Sequence, residues 1–265
     1  MRGPGVRVSI ADRLKKPPEP DTPEPRVLTI DIETSPHLAY SFSMYDANIS
    51  PDMVVRPSRV LCFAAKWLDE RQVMFFSERD PGRKKMIEAA WELLDAADIV
   101  VTYNGPGFDK KHLQREFLLA GLAPPSAYTD VDLLQVVRRR FKFPSNRLGA
   151  VGETLGIGGK LDTGGWRLWQ AVLEGDDKAW EIFEKYNRQD CTLTEQLYDV
   201  LAPWITGIPH RGLWSGDMGD CPACGSDDLE LVGVTFDKAR AYPRVQCRDC
   251  AAFSKVLRNG ETRRA

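Results

Sequence analysis

Hydrophobic and polar positions alternate through RVLTIDIE, residues 26–33, which is the pattern of a β-strand. The apolar side chains at 28, 30 and 32 fall on one face, and Asp31 and Glu33 share the other. Neighbouring carboxylates repel each other. Their face is therefore either solvated at the exposed edge of a sheet, or it borders a cleft where a divalent cation offsets the charge.

The pattern predicts further elements downstream. Apolar runs predict strands over 60–68 and 72–77, and the short polar link between them indicates a hairpin. A helical stripe over 84–97 leads into a strand over 99–104. Another helix is predicted from Asp109 to about Leu122, then a short strand near AYTDVD, then helical segments to about Trp204. This order predicts an α/β fold with a mixed five-stranded sheet and helices on both faces.

The chain divides into three predicted regions. Residues 1–25 end in KKPPEPDTPEPR, which indicates a flexible, proline-rich lead-in. Residues 26–207 form the α/β domain, and 208–265 form a small module that is too short for a large core of its own.

Composition fits a globular protein of 265 residues, with 43% hydrophobic and 28% charged residues. The formal net charge of −2 provides no global positive field for a nucleic acid, so such a contact would need local basic clusters. No apolar run approaches the roughly 18 residues of a membrane span, and the N-terminus lacks the apolar core of a signal peptide. We therefore expect a cytoplasmic protein.

Two further segments carry candidate carboxylates. The turn Gly-Pro-Gly after the strand over 99–104 delivers Asp109 to the start of a helix, either as a helix cap or as a group at a ligand-binding sheet end. In EKYNRQDCTLTEQLY, Tyr186 and Asp190 lie four residues apart on one helical face. They fit either an ordinary amphipathic helix or one shared site.

Taken together, D-I-E-T at 31–34, N-x-x-x-F-D at 104–109 and Y-x-x-x-D at 186–190 resemble the three exonuclease motifs of the DEDD superfamily. The tyrosine is typical of its DEDDy branch. That superfamily includes the proofreading 3'-5' exonucleases of DNA polymerases and several RNA-trimming enzymes. The resemblance covers about residues 26–200 and implies a ribonuclease H-like fold.

The resemblance also implies roles for individual residues. Asp31, Glu33, Asp109 and Asp190 would hold two Mg²⁺ or Mn²⁺ ions, which activate water and stabilise the leaving 3' oxygen. Tyr186 would position the attacking water, because its unperturbed pKa of about 10 makes it a poor base.

Substrate contacts are less well defined by the sequence. The resemblance implies that Thr34, Asn104 and Phe108 contact the substrate, although a turn asparagine and a core phenylalanine are equally ordinary interpretations of the last two. The basic run RRRFK at 138–142 fits either phosphate contact or a solvated helix end. The segment GIGGK at 156–160 lacks the spacing of a phosphate-binding loop.

Four of the six cysteines form the pattern C-x2-C-x22-C-x2-C, which predicts a structural Zn²⁺ in a zinc ribbon: Cys221, Cys224, Cys247 and Cys250. Cys62 and Cys191 stand alone inside predicted elements and are expected in the core. Arginines and lysines alternate with Tyr242 and Phe253 in this module. Such a surface suits the binding of a nucleic acid, whereas the acidic residues in the same module fit the docking of a protein partner as the alternative.

The sequence thus predicts a metal-dependent 3'-5' exonuclease acting on single-stranded DNA or DNA 3' ends. The alternatives are a 3'-5' exoribonuclease, or a non-catalytic nucleic-acid-binding adaptor with the same fold. A polymerase or another replication or repair protein is the expected kind of partner, in a bacterial or phage-like setting.

Overall fold

The structure, a computed structural model, describes residues 25–45, 48–68 and 70–264. The predicted lead-in lies almost wholly outside the described residues. Across the helices that are described, none is both long enough and apolar enough to cross a membrane.

A mixed five-stranded sheet forms the centre of the predicted α/β domain. Its strands are β1 (Val27–Thr34), β4 (Val60–Trp67), β5 (Met74–Ser77), β6 (Ile99–Thr102) and β7 (Thr129–Asp132). A separate pair of short strands, β2 (Leu38–Ala39) and β3 (Val54–Arg56), follows β1 in the chain. The order across the main sheet is β5-β4-β1-β6-β7. Strand β1 runs antiparallel to β4 and parallel to β6.

The central position of β1 rules out the exposed sheet edge as an explanation of its two carboxylates. The apolar side chains Leu28, Ile30 and Ile32 are buried in the core on one face of the sheet. The alternate face carries Thr29, which is also buried, followed by the two acids.

Helices cover both faces of this sheet, as predicted. They are α1 (Arg83–Asp95), α2 (Asp109–Leu119), α3 (Leu133–Arg140), α4 (Leu148–Leu155), α5 (Trp166–Glu174) and α6 (Asp177–Leu201). Helices α1 and α2 contribute to the core cluster around Leu28 and Ile30. The other face is covered by α3, α4 and the long helix α6, with α5 packed beside α6. Cys62 and Cys191 are buried, as expected of core residues.

Two details differ from the sequence-based expectation. Helix α2 ends at Leu119 instead of Leu122, because Gly121 adopts a positive φ of 73° that breaks the helical path. The β2–β3 pair was not predicted, since strands of two and three residues are too short to produce a periodic pattern.

The C-terminal region forms a four-stranded antiparallel sheet with the order β11-β10-β9-β8. It begins after a short helix, α7 (Gly212–Ser215), and consists of β8 (Leu229–Phe236), β9 (Ala241–Cys247), β10 (Phe253–Val256) and β11 (Thr262–Arg264). Trp214 packs against the core cluster that α6 shares with the main sheet. The proposed boundary at residues 207 and 208 stays a prediction.

Candidate active site

Three carboxylates from two elements converge on the same point. Asp31 and Glu33 project from β1, and Asp190 comes from α6, which crosses the sheet above that strand. One oxygen of each lies within 4.8 Å of the others. The alternation of β1 and the position of Asp190 on the buried side of α6 therefore produce one acidic cluster.

The fourth carboxylate lies where the sheet opens. Strands β1 and β6 pair only over Val27, Leu28 and Thr29, so the β6 side of β1 is free beyond that point. Asp109 occupies this gap, and its Oδ1 accepts a hydrogen bond of 3.1 Å from the backbone N–H of Ile32. Asp109 is buried and lies outside the cluster of three.

The turn before α2 determines how Asp109 reaches this gap. A Cβ on Gly105 would lie 2.1 Å from Thr102 Oγ1, so the turn has no room for a larger residue. Phe108, not Asp109, occupies the N-cap position, and Asp109 is the first helical residue. The interpretation of Asp109 as a helix cap is therefore wrong, because its carboxylate binds the neighbouring strand instead.

Lys160 and Tyr186 complete the polar surroundings of Asp190. The Lys160 ammonium donates hydrogen bonds to Asp190 Oδ2 and, over 3.0 Å, to the Tyr186 hydroxyl. Tyr186 lies one helical turn before Asp190, and its ring makes an edge contact with Trp169 of α5. Lys160 lies in the glycine-rich segment 156–160, where the sequence showed no phosphate-loop spacing and gave no other reason to select it.

Asn187 is a second residue that sequence analysis missed. It is fully buried, and its Nδ2 donates to Asp31 Oδ2 over 2.7 Å and to the Asp31 carbonyl oxygen over 3.1 Å. The Cys62 thiol donates to Asn187 Oδ1 over 3.7 Å. The sequence signal for Asn187 was its position directly after Tyr186, because residue 187 of α6 faces β1.

Burial, together with repulsion between neighbouring carboxylates, raises the pKa values of these acids in the absence of a cation. Burial is the first cause that raises the pKa of Glu33 to about 8 and that of Asp109 to about 7. Burial, then the charges of Asp109 and Glu33, raise the pKa of Asp31 well above its ordinary value. The pKa of Asp190 is also raised by burial, although Lys160 opposes that shift. Such a cluster favours a bound cation.

The donor set fits a divalent metal. Carboxylate oxygens are the ligands that Mg²⁺ and Mn²⁺ prefer. Asp190 Oδ1 is buried and has no hydrogen-bond partner among the described residues, which leaves an acceptor available to a metal. Asp31, Glu33 and Asp190 would hold such an ion, and Asp109 lies beside them.

A cleft of about 650 Å³ extends from Asp31 between β6 and α4. Asn104, Arg138 and Lys160 line it, so one residue of the basic run at 138–142 faces the site. Asn104 has a positive φ of 74°, as expected of a turn asparagine. The Phe108 side chain is 39% exposed, and its ring packs against that of His112. The interpretation of Phe108 as a core residue is therefore wrong. The carbonyl of Thr34 accepts a hydrogen bond from Trp169.

The four paired cysteines meet in the C-terminal sheet. Sγ separations are 3.7 Å between Cys221 and Cys250 and 3.6 Å between Cys224 and Cys247. Tetrahedral Zn²⁺ with bonds of about 2.3 Å would place its sulfurs about 3.8 Å apart, so the cluster fits that ion. Burial is the main cause that raises the pKa of the Cys224 thiol to about 11, and metal binding would displace these protons.

Comparison with known proteins agrees with this architecture. A family model described as the RNase H superfamily matches residues 55–202, and the chain belongs to that superfamily. The fold resembles the family B DNA polymerase from the hyperthermophilic archaeon Pyrobaculum calidifontis, with a TM-score of 0.51 and 17% identity. That match covers 84% of this chain and 32% of the polymerase, so the chain spans about a third of that protein's length. No curated protein sequence matches.

Proposed function

We propose that the protein is a metal-dependent 3'-5' exonuclease of the DEDDy type that hydrolyses single-stranded DNA from its 3' end. The observation that carries this proposal is the convergence of Asp31, Glu33 and Asp190 within 4.8 Å, with Asp109 at the adjoining strand gap. The RNase H superfamily membership and the polymerase-like fold support a nuclease.

The chain's own residues divide the work at this site. The four carboxylates would hold two Mg²⁺ or Mn²⁺ ions, and these ions would supply Lewis-acid activation of water and stabilisation of the leaving oxygen. Tyr186 orients the attacking water through its hydroxyl, which stays neutral because burial and the carboxylates of Asp190 and Glu33 raise its pKa. Lys160, beside that hydroxyl, offers a positive charge to the scissile phosphate.

The cleft beside Asp31 suits the end of a single strand. Asn104 and Arg138 line its wall, and Arg138 supplies positive charge for a phosphate. Phe108 is exposed on the same turn and offers a ring face to a terminal base. Thr34 ends β1 directly after the two acids, and we assign it to the same substrate contact.

The test is a time course with 5'-labelled single-stranded DNA and RNA of the same sequence, in magnesium, in manganese, or without either. We expect a ladder that shortens from the 3' end of DNA and disappears in Asp31→Ala. Glu181→Ala, on the exposed side of α6, is a matched control that removes one carboxylate and retains activity.

Other outcomes decide between the alternatives. Faster cleavage of RNA would identify an exoribonuclease. Binding of both oligonucleotides without cleavage in either metal would contradict the proposal and favour a non-catalytic adaptor.

A further inference from the structure

Three basic residues form one row across the C-terminal sheet. Arg244 on β9 pairs with Lys255 on β10, and Lys255 pairs with Arg263 on β11. Gly233 on β8 completes the row. Directly paired residues have Cβ atoms about 5 Å apart on one face, where like charges destabilise the sheet. A row of three cations therefore suggests an anionic ligand.

This row lies on the outward face of the sheet. The neighbouring residues in each strand, Val245, Ser254 and Thr262, are buried on the opposite face. Arg263 is exposed and Arg244 is half-buried. The row is thus presented to a partner, while the inner face stabilises the module.

Carboxylates neutralise little of this charge. Within residues 25–45, 48–68 and 70–264, neither Arg244 nor Arg263 has a carboxylate within 4.0 Å, and Lys255 has one, Asp237, at 3.4 Å. Arg248, outside the row, contrasts with them because it lies 3.7 Å from Asp228 and 3.5 Å from Glu230.

Aromatic rings flank the row on both sides. Tyr242 precedes Arg244 by two residues on β9, and Phe253 precedes Lys255 by two residues on β10. Because the strands are antiparallel, the two rings lie on opposite sides of the row, each about 7 Å along its strand. The Lys255 ammonium lies 4.8 Å from the Tyr242 ring centroid, and the Arg244 guanidinium lies 5.5 Å from that of Phe253.

A groove extends this surface beyond Tyr242. It has a volume of about 730 Å³ and is lined by Arg240, Tyr242 and Arg258, at the start of β9 and in the turn after β10. The basic and aromatic character therefore continues past the row, along a path long enough for more than one nucleotide.

We propose that this outer face, built around Arg244, Lys255 and Arg263 with Tyr242 and Phe253, binds single-stranded DNA. The three cations contact phosphates, and the two rings stack on bases. Phe253 is exposed and Tyr242 is half-buried. Rings interleaved with cations suit planar bases on a charged backbone better than they suit an acidic peptide. The choice of DNA rests on the proposed function, in which the ribbon would hold the strand whose 3' end enters the nuclease site.

The test measures binding without cleavage. The full-length, zinc-containing protein is titrated into a labelled thymidine oligonucleotide of about 20 nucleotides, longer than one such module occupies, and anisotropy is recorded without magnesium or manganese. We compare Arg244→Gln/Arg263→Gln with Lys238→Gln/Arg248→Gln, which removes the same charge from the same module outside the row. Zinc content and melting temperature check each variant.

We expect the row variant to bind about tenfold or more weakly. The slope of log K against log salt concentration, measured from about 50 to 300 mM salt, should become shallower by roughly 0.7 for each lost phosphate contact. The control should bind as wild type does. Equal loss in both variants, or no loss in either, would overturn the proposal and favour protein docking. Row-dependent binding of RNA or duplex alone would overturn the choice of single-stranded DNA.

A second measurement needs no variant. Ultraviolet crosslinking of the wild-type protein to the thymidine oligonucleotide should label Tyr242 or Phe253, and crosslinks confined to residues 26–207 would overturn the proposal. Because neither experiment requires hydrolysis, loss of the exonuclease proposal would leave this one testable, and the reverse also holds.

Discussion

Asn187 holds Asp31 at two points, with one amide nitrogen donating to both the carboxylate and the backbone carbonyl of the same residue. Asn187 itself is completely buried on α6. The helix that supplies Asp190 therefore also fixes the orientation of the strand carboxylate opposite it. The relative position of the two acids does not depend on β1 alone.

Substitution of Asn187 should reduce the proposed activity without any change in metal ligands. A hydrogen bond to a charged group contributes about 1.5–3 kcal/mol, so Asn187→Ala should lower kcat roughly 10- to 100-fold. Asn187→Asp should lose more, because it places a further carboxylate against Asp31. Steady-state kinetics measure both effects. Gln196→Ala, which removes an exposed amide from the same helix, is the control, and an equal loss there would contradict the positioning role.

Lys160 should weaken metal binding, because its ammonium pairs with Asp190, a proposed metal ligand, and competes with an ion for that carboxylate. Lys160→Met removes this competitor and the positive charge, and we expect manganese to bind roughly 3- to 10-fold more tightly. Calorimetric titration measures the affinity. Lys185→Met, an exposed neighbour of Tyr186, removes the same charge and should leave the affinity close to that of wild type. Weaker binding in Lys160→Met would show that the lysine supports the site instead.

Tyr186 should contribute less than Asp31. Tyr186→Phe removes a hydroxyl that orients water, and we expect a loss of about tenfold, or ~1.4 kcal/mol of transition-state stabilisation. Asp31→Ala should lose at least about a thousandfold, since it removes one of the four proposed metal ligands. Because burial and nearby carboxylates raise the pKa of Tyr186, its hydroxyl remains neutral near pH 7. The pH–rate profile of Tyr186→Phe should therefore keep the shape of the wild-type profile, and a lost limb would identify Tyr186 as the base.

The metal-free protein should become less stable as pH rises from about 4.5 to 8. The folded protein raises the pKa of Glu33 to about 8 and that of Asp109 to about 7, so the native state binds more protons than the unfolded chain in this window. The stabilisation is fully present at pH values below the pKa values of the unfolded chain, and it is lost as the pH rises through the pKa values of the folded protein. Each pKa unit corresponds to roughly 1.4 kcal/mol, so the melting temperature should fall by several degrees.

Two comparisons test that origin of the pH dependence. Glu33→Gln/Asp109→Asn should flatten the curve in metal-free buffer. Added magnesium or manganese should raise the melting temperature most at the alkaline end, where the ligands are ionised. A wild-type curve that rises across the window would contradict the assignment.

The cysteine cluster should hold one zinc ion per chain. Titration with a mercurial should release it after four thiols have reacted, as followed by a zinc-sensitive dye. Cys62 and Cys191 are buried in the main domain and should react only after unfolding. Release after fewer equivalents, or two rapidly reacting thiols without zinc, would point to a different use of the cluster.

Sequence periodicity was sufficient for the five-stranded sheet and for helices on both faces, because those elements are long and their apolar faces are regular. The acids of β1 and α6 were identified by local spacing, although their roles stay a prediction. Spacing also placed Asp109 near the sheet, but its bond to Ile32 depends on where β1 and β6 separate. That separation is a property of two strands about 70 residues apart, and no local pattern describes it.

Lys160 and Asn187 show a different limit. Each acts on an acid that lies far away in sequence, and neither residue type is unusual in a loop or a helix. The basic row of the C-terminal sheet was likewise visible only as scattered arginines and lysines. Strand pairing aligns Arg244, Lys255 and Arg263, and their spacings of 11 and 8 residues reveal nothing without the hairpins.

The alternation of β1 has a consequence for how this segment can evolve. A slip of one residue against β4 would move Asp31 and Glu33 into the apolar core and would expose Leu28, Ile30 and Ile32 in the cleft. A single shift would thus remove the acidic cluster and the packing of the sheet together. An insertion or deletion of one residue inside this strand would disrupt both the site and the core, so changes in chain length should be confined to the loops on either side.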